Sequence, residues 1–132
     1  MPTSTDSVSP SRSIALDHLE RVAQDEAYVD RLEAEDADAR SRRQARELVA
    51  GVTRQQRWLD FVLSEAYNND YDSIELRLRE ILRLGLYEML FQSTPTRAIV
   101  HQYVELAKQT LRPGAGDLVN AILRTIDRDR EY

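Results

Sequence analysis

Arginine side chains are the groups in this chain best suited to chemistry with phosphate, and many of them lie between residues 40 and 57. The chain has 17 Arg and a single Lys. On a helical wheel at about 100° per residue, five arginines and one phenylalanine collect opposite the apolar residues of this segment. They are Arg40, Arg43, Arg46, Arg54, Arg57 and Phe61, and Arg42 flanks the same face. Since guanidinium groups bind phosphate in a bidentate manner, this pattern predicts a phosphate-binding ridge with one stacking ring.

The same face has an alternative explanation as an ordinary solvated surface. An Arg-rich outer face is common on exposed helices. Glu47 follows Arg43 by four residues, which is the spacing at which opposite charges stabilise a helix. The pattern alone leaves both explanations open.

Side chains that could perform catalysis or bind a metal are scarce. The absence of cysteine excludes a disulfide framework and a thiol nucleophile. The two histidines are far apart in sequence, so few ligands are available for a zinc site. We expect His18 to lie on the surface and His101 to be hydrogen-bonded and partly buried. Glu88 and Glu105 have apolar neighbours, so each is predicted to be a buried acid held by an arginine. The sequence therefore predicts no enzyme, no catalytic residue, no metal and no cofactor.

The overall composition predicts one acidic helical domain. The 132 residues carry a formal charge of −5, which is not the balance of a non-specific nucleic-acid coat. No apolar run approaches the roughly 20 residues that span a bilayer, and no signal-peptide core is visible near the N-terminus. These features predict a cytoplasmic protein without membrane contact. Residues 1–12 are rich in Ser, Thr and Pro and are predicted to be a disordered tail, followed by one domain over residues 13–132.

Helical periodicity and helix-end signals predict six helices and no strand. The first begins after Ser13, and a short second helix covers residues 27–32. An acidic-to-basic switch leads into a long helix at residues 39–66, either continuous or divided into two nearly collinear pieces at Gly51. A fourth helix covers residues 74–91. The fifth starts with Thr94 as cap and Pro95 at its first position, and the sixth covers about residues 117–127.

The helix at residues 74–91 is apolar in almost every direction around its axis. A helix of this kind must be surrounded by other helices, so it is predicted to be the centre of an all-α bundle. Gly85 lies within it, at a cost of about 1 kcal/mol relative to Ala. We therefore expect a neighbouring helix to approach closely at Gly85.

Several segments occur in the order and spacing of the NusB family. They are Glu47-Leu-Val-Ala-Gly-Val52, Trp58-Leu-Asp60, Arg83-Leu-Gly-Leu-Tyr-Glu-Met-Leu90, Pro95, Val104-Glu-Leu-Ala-Lys108 and Val119-Asn-Ala-Ile-Leu123. Over about residues 40–126 the chain resembles the NusB transcription antitermination factors. It equally resembles the NusB-like N-terminal domain of the RsmB rRNA cytosine methyltransferases.

The resemblance implies a NusB-like helical bundle in two subdomains that binds RNA without catalysis. The implied partners are rRNA or its leader transcript, a small-subunit ribosomal protein and the transcription machinery, while the oligomeric state is left open. In the antitermination branch the RNA site includes an Arg-rich first helix, but here that region has only Arg12 and Arg21. We therefore expect RNA to bind the ridge residues Arg40, Arg42, Arg43, Arg46, Arg54, Arg57 and Phe61.

Two other functions remain open from the sequence. The segments at residues 51–57 and 119–124 are closest to the methyltransferase version, which would make the chain an accessory domain of such an enzyme. That chemistry requires a cysteine nucleophile and a cofactor-binding domain, which these 132 residues do not supply. The negative charge and the base-poor first helix also suit a protein–protein interaction module that has lost its RNA site.

Overall fold

The predicted central helix is buried along most of its length. The computed structural model describes residues 8–25 and 36–130. Its elements are α1 (Pro10–Asp25), α2 (Ala39–Ala66), a 3-10 turn (Tyr71–Ser73), α3 (Leu76–Phe91), α4 (Thr96–Thr110) and α5 (Pro113–Asp129). Residues 80–89 of α3 are all buried, and each of the other four α-helices packs against α3. The all-α prediction is confirmed, since the described ranges contain helices and no strand.

The helices associate in two pairs around α3, as the predicted bundle of two subdomains requires. The most extensive helix–helix contacts join α4 to α5 and α1 to α2. The predicted short helix at residues 27–32 lies outside the described residues. Among the helices that the structure describes, none is long and apolar enough to span a membrane.

Two glycines mark places where α3 meets its neighbours most closely. A Cβ atom on Gly85 would lie 2.8 Å from Leu123 Cδ1 and 3.4 Å from Tyr103 Cδ2, which confirms the predicted close approach. A Cβ atom on Gly51 would lie 2.1 Å from Tyr87 Cζ. Gly51 therefore does not break α2, which is continuous; it makes room for the Tyr87 ring.

The first helix begins earlier than the sequence predicts. It starts at Pro10 rather than after Ser13, so the predicted boundary of a disordered tail at Arg12 is wrong. Proline is well tolerated in the first helical turn because its missing N–H has no partner there. The Ser9 amide donates to Gln102 Oε1 on α4 at 2.9 Å, which ties the start of α1 to the bundle. Residues 1–7 lie outside the described part of the chain.

Three other helix starts also differ from prediction. Helix α3 begins at Leu76, because the preceding residues form the 3-10 turn, where Asp70 accepts a hydrogen bond from the Asp72 amide. Pro95 is the N-cap of α4 rather than its first residue, and no side chain caps this end. Helix α5 begins at Pro113 rather than near residue 117, because proline followed by small residues starts this helix instead of ending the previous one.

A buried ion pair connects α1 to α3 and α4. Arg12 Nε and Nη2 each donate to the Glu88 carboxylate at 2.7 Å, and the Tyr103 hydroxyl also donates to Glu88. Burial and the neighbouring Glu88 raise the pKa of Tyr103 well above 10.0, so its hydroxyl remains a donor. The prediction that an arginine holds a buried Glu88 is confirmed. Glu105 is only partly buried and lies 3.8 Å from Lys108 Nζ, so its partner is a lysine.

A second buried cluster joins α2, the 3-10 turn and α3. Arg83 donates to Asp60 Oδ1 at 2.8 Å and Oδ2 at 2.7 Å, and to Glu80 Oε2 at 2.8 Å. The Tyr71 hydroxyl donates to Asp60 at 2.7 Å, and Arg79 lies 3.3 Å from Glu80. One buried guanidinium thus satisfies two carboxylates on different helices.

The environments of the two histidines are the reverse of those expected from the sequence. His18 is buried, because it lies on the same face of α1 as the buried residues Ala15 and Leu19. His101 is exposed, because α4 buries Val100 and Tyr103 on its inner side and turns position 101 outward. Both predictions were wrong because the sequence spacing did not show which side of each helix would be covered.

Glu80 predicts a measurable pH dependence of stability. Burial raises the pKa of Glu80 above 4.5, although Arg83 and Arg79 oppose this shift. Between 4.5 and the raised value the folded state therefore binds more protons, so stability falls as pH rises. Relative to Glu80→Gln, we expect the wild-type free energy of unfolding to decrease as pH increases above about 4.5.

Urea unfolding of both proteins between pH 4 and pH 7 measures this difference. Glu75→Gln is the matched control. Arg112 lowers the pKa of Glu75, so the wild-type free energy of unfolding, relative to Glu75→Gln, should not fall but rise with pH. The prediction is contradicted if the free energy of unfolding of the wild type minus that of Glu80→Gln stays constant or increases with pH.

Candidate nucleic-acid interface

The long helix α2 has one buried face and one face directed to solvent. Its start is capped by Asp38, whose Oδ1 accepts from the Ser41 amide at 2.7 Å. Ala45, Leu48, Gly51, Val52, Leu59 and Leu63 form the buried side. Because helical geometry places residues about 100° apart, the predicted ridge necessarily lies opposite this side. Packing of the apolar face therefore positions the arginines.

The structure brings five of the six predicted arginines together as one exposed row. Arg40, Arg43, Arg46, Arg54 and Arg57 are all exposed. From the first to the last, the row extends about 26 Å at 1.5 Å per residue. Arg42 differs: it is partly buried and donates to the Ala37 carbonyl oxygen near the start of α2. The Arg42 side chain therefore binds the backbone just before the start of α2 and lies outside the row.

The five row arginines form no ion pair with any residue in 8–25 or 36–130. The predicted Arg43–Glu47 pair is absent between these two described residues, although both are exposed. Asp60 is the α2 acid that does hold an arginine, and that arginine is the buried Arg83. The row is thus a linear array of guanidinium groups whose donors are available to an external anion.

Phe61 lies at one end of this row and has an aromatic neighbour that the sequence interpretation missed. Phe61 is 57% exposed and Trp58 is 50% exposed. Their ring centroids are 5.8 Å apart and the planes differ by 21°, so the rings are stacked. The i,i+3 spacing of two large aromatics on an outer helix face could have revealed the pair. Exposed aromatic faces beside guanidinium groups can stack with nucleic-acid bases.

The arginine row and the two exposed rings give this surface the chemistry of a binding site. No group of three or more histidine or acidic side chains in the described ranges could hold a metal ion. The acids with the most unusual surroundings, Glu80 and Glu88, are both satisfied by arginines inside the bundle. The surface combines phosphate donors and stacking rings, which are the components of a nucleic-acid contact.

Comparison with protein families agrees with the order of the sequence motifs. The model of the NusB family matches residues 9–128. The chain is 32% identical over 124 residues to a probable ribosomal RNA small subunit methyltransferase B of Bacillus subtilis, covering 89% of this chain and 28% of the relative. It is 39% identical over 84 residues to the transcription antitermination protein NusB of Sinorhizobium medicae, covering 61% of this chain and 52% of the relative. The chain thus spans about half or less of these relatives.

Comparison with solved structures supports the same fold. A crystal structure of the antitermination factors NusB and NusE in complex with dsRNA contains a chain that superimposes with a TM-score of 0.83. The two chains are 23% identical, and the match covers 92% of this chain and 96% of the other. At this identity the likeness establishes the fold, which is the two-pair helical bundle described above.

Proposed function

Because this chain belongs to the NusB family, we propose that it is a non-catalytic RNA-binding factor in transcription antitermination of rRNA operons or in ribosome biogenesis. The observation that carries the proposal is the row of five exposed α2 arginines without ion pairs in the described residues. The RNA is rRNA or its leader transcript. The complex of the antitermination factors NusB and NusE with dsRNA supports RNA as a ligand and a second protein as a partner. In this proposal the protein partners are a small-subunit ribosomal protein and the transcription machinery.

In this proposal the arginine row follows the phosphate backbone of the RNA. Each guanidinium replaces a counterion at a phosphate, and release of these counterions makes binding dependent on salt. The net charge of −5 gives the protein no general attraction to RNA, so the contact depends on this local array. Trp58 and Phe61, at the end of the row, stack with an unpaired base.

Removing two arginines from the middle of the row tests the proposal. We expect Arg43→Ala combined with Arg54→Ala to weaken binding of a labelled rRNA leader about tenfold. The slope of log affinity against log salt should also fall by about 1.5, because two phosphate contacts are lost. Fluorescence anisotropy at several salt concentrations measures both quantities. The single tryptophan gives a second signal, since stacking of a base on Trp58 should quench its emission.

Arg112→Ala combined with Arg128→Ala is the matched control. It also removes two exposed arginines, but from outside α2. Circular dichroism should show unchanged helicity in both double variants. If the two variants bind RNA alike, the row is only a solvated face. If the wild type binds RNA no better than an unrelated acidic protein, the RNA-binding function itself is wrong, and a protein–protein interaction module becomes the better explanation.

A second candidate function is supported by the extent of one sequence match. The match to the Bacillus subtilis methyltransferase B covers 89% of this chain but only 28% of that enzyme. In this alternative the bundle is an accessory domain that holds rRNA for a separate catalytic domain. The length of the natural open reading frame distinguishes the two functions, because the accessory domain requires a catalytic domain in the same chain.

A further inference from the structure

A groove between α4 and α5 carries positive side chains that the α2 row does not include. Its volume is about 600 Å³, within the range of roughly 300–1,000 Å³ that small-molecule sites occupy. Its lining residues include Arg97, His101, Val104, Glu105, Lys108, Asn120 and Arg124. Arg97, His101, Lys108 and Arg124 are exposed, whereas Glu105 is partly buried.

The antiparallel arrangement of α4 and α5 places the two arginines on opposite walls in the same half of the groove. A Cβ atom on Gly116 would lie 2.5 Å from Lys108 Cγ, so the start of α5 lies beside the end of α4. At the other end, Arg130 Nη2 donates to Thr96 Oγ1 at 3.3 Å. Arg97 therefore lies near the start of α4, Arg124 lies on the opposite wall about one helical turn further along, near the level of His101, and Lys108 is near the other end.

The charges in the groove are arranged to accept an anion at the arginine end. Arg97 forms no ion pair with a described residue. Arg124 Nε donates to Asn120 Oδ1 at 2.9 Å, which orients its guanidinium and leaves the Asn120 amide N–H groups for another acceptor. At the opposite end Glu105 lies 3.8 Å from Lys108 and offsets its charge. The unbalanced positive charge is therefore at Arg97 and Arg124.

We propose that this groove binds one unstacked nucleotide of an RNA strand, at a site separate from the α2 row. Its phosphate lies between Arg97 and Arg124, and its base covers Val104 within reach of the Asn120 amide. The proposal rests on the RNA-binding function proposed above. An acidic peptide is disfavoured because protein interfaces are enriched in Tyr, Trp and Phe and depleted of lysine, whereas the groove lining has no Tyr, Trp or Phe and includes Lys108. Positive charge is typical of nucleic-acid interfaces.

Binding of a 12-residue single-stranded oligouridylate to the whole chain tests this site. We expect Arg97→Ala combined with Arg124→Ala to weaken binding about tenfold, since charge-assisted contacts to one phosphate are lost. Arg112→Ala combined with Arg128→Ala should bind like the wild type. In the wild type, the oligonucleotide should shift the NMR signals of the Asn120 side-chain amide and the Val104 methyl groups. A glutamate oligopeptide of equal charge should shift them much less.

The outcomes separate this site from the RNA-binding function. If the wild type binds RNA and the groove variant matches the control variant, the groove proposal is wrong while the function stands. If the wild type binds no RNA, both are wrong. If the glutamate peptide produces the larger shifts, the groove is a site for an acidic protein segment and the nucleotide proposal is wrong.

Discussion

Replacing Arg83 with Met is expected to lower the free energy of unfolding by about 3–5 kcal/mol, the usual cost of removing one partner of a buried ion pair. The Arg83 side chain is 7% exposed and the Glu80 side chain 2% exposed. The substitution leaves the Glu80 and Asp60 carboxylates close together without the guanidinium that donates to both. The main cost is therefore electrostatic, because Met fills a similar volume but leaves Glu80 with Arg79 alone and Asp60 with the Tyr71 hydroxyl alone.

Urea unfolding followed by circular dichroism measures this loss. Arg54→Met is the matched control and should have little effect, because Arg54 is exposed. Adding Glu80→Gln and Asp60→Asn to Arg83→Met should recover a large part of the stability, since both negative charges that lost Arg83 are removed. If the triple variant is as unstable as Arg83→Met, the loss comes from packing and the electrostatic explanation is wrong.

Replacing Arg12 with Met is expected to lower the free energy of unfolding by about 2–4 kcal/mol. This is slightly less than for Arg83→Met, because the Arg12 side chain is partly exposed. It is 16% exposed, while the Glu88 side chain is 5% exposed. Without Arg12, Glu88 keeps the Tyr103 hydroxyl but loses two hydrogen bonds of 2.7 Å. The contact of the guanidinium with the Tyr103 ring, 5.8 Å from its centroid, is lost as well.

Hydrogen exchange and urea unfolding together test the role of Arg12. We expect the amides of α1 to lose more protection than those of α5, because Arg12 ties α1 to the central helix. Arg12→Lys should have an intermediate effect, since it keeps the charge but cannot make the bidentate contact. Arg128→Met is the surface control. Stability equal to that control would mean that the Arg12–Glu88 pair adds no net stability to the bundle.

Local patterns in the sequence determined the class of fold and much of the candidate surface. Apolar residues occur on every side of the central helix, so this helix must be buried among other helices whatever the order in which they pack. Gly85 indicated a close approach because glycine is otherwise costly within a helix. The five exposed arginines of α2 were predictable because a helix fixes which residues lie opposite its apolar face.

Partners distant in sequence were decided by the tertiary structure alone. Arg12 and Glu88 are separated by 76 positions and Arg83 and Asp60 by 23, so no local spacing reveals either pair. The same reason explains the buried His18 and the exposed His101, because the neighbouring helices determine which side of α1 and α4 is covered. The groove of Arg97 and Arg124 also depends on the antiparallel packing of α4 against α5. Periodicity fixes the faces of each helix, whereas the packing of helices against one another determines what each face contacts.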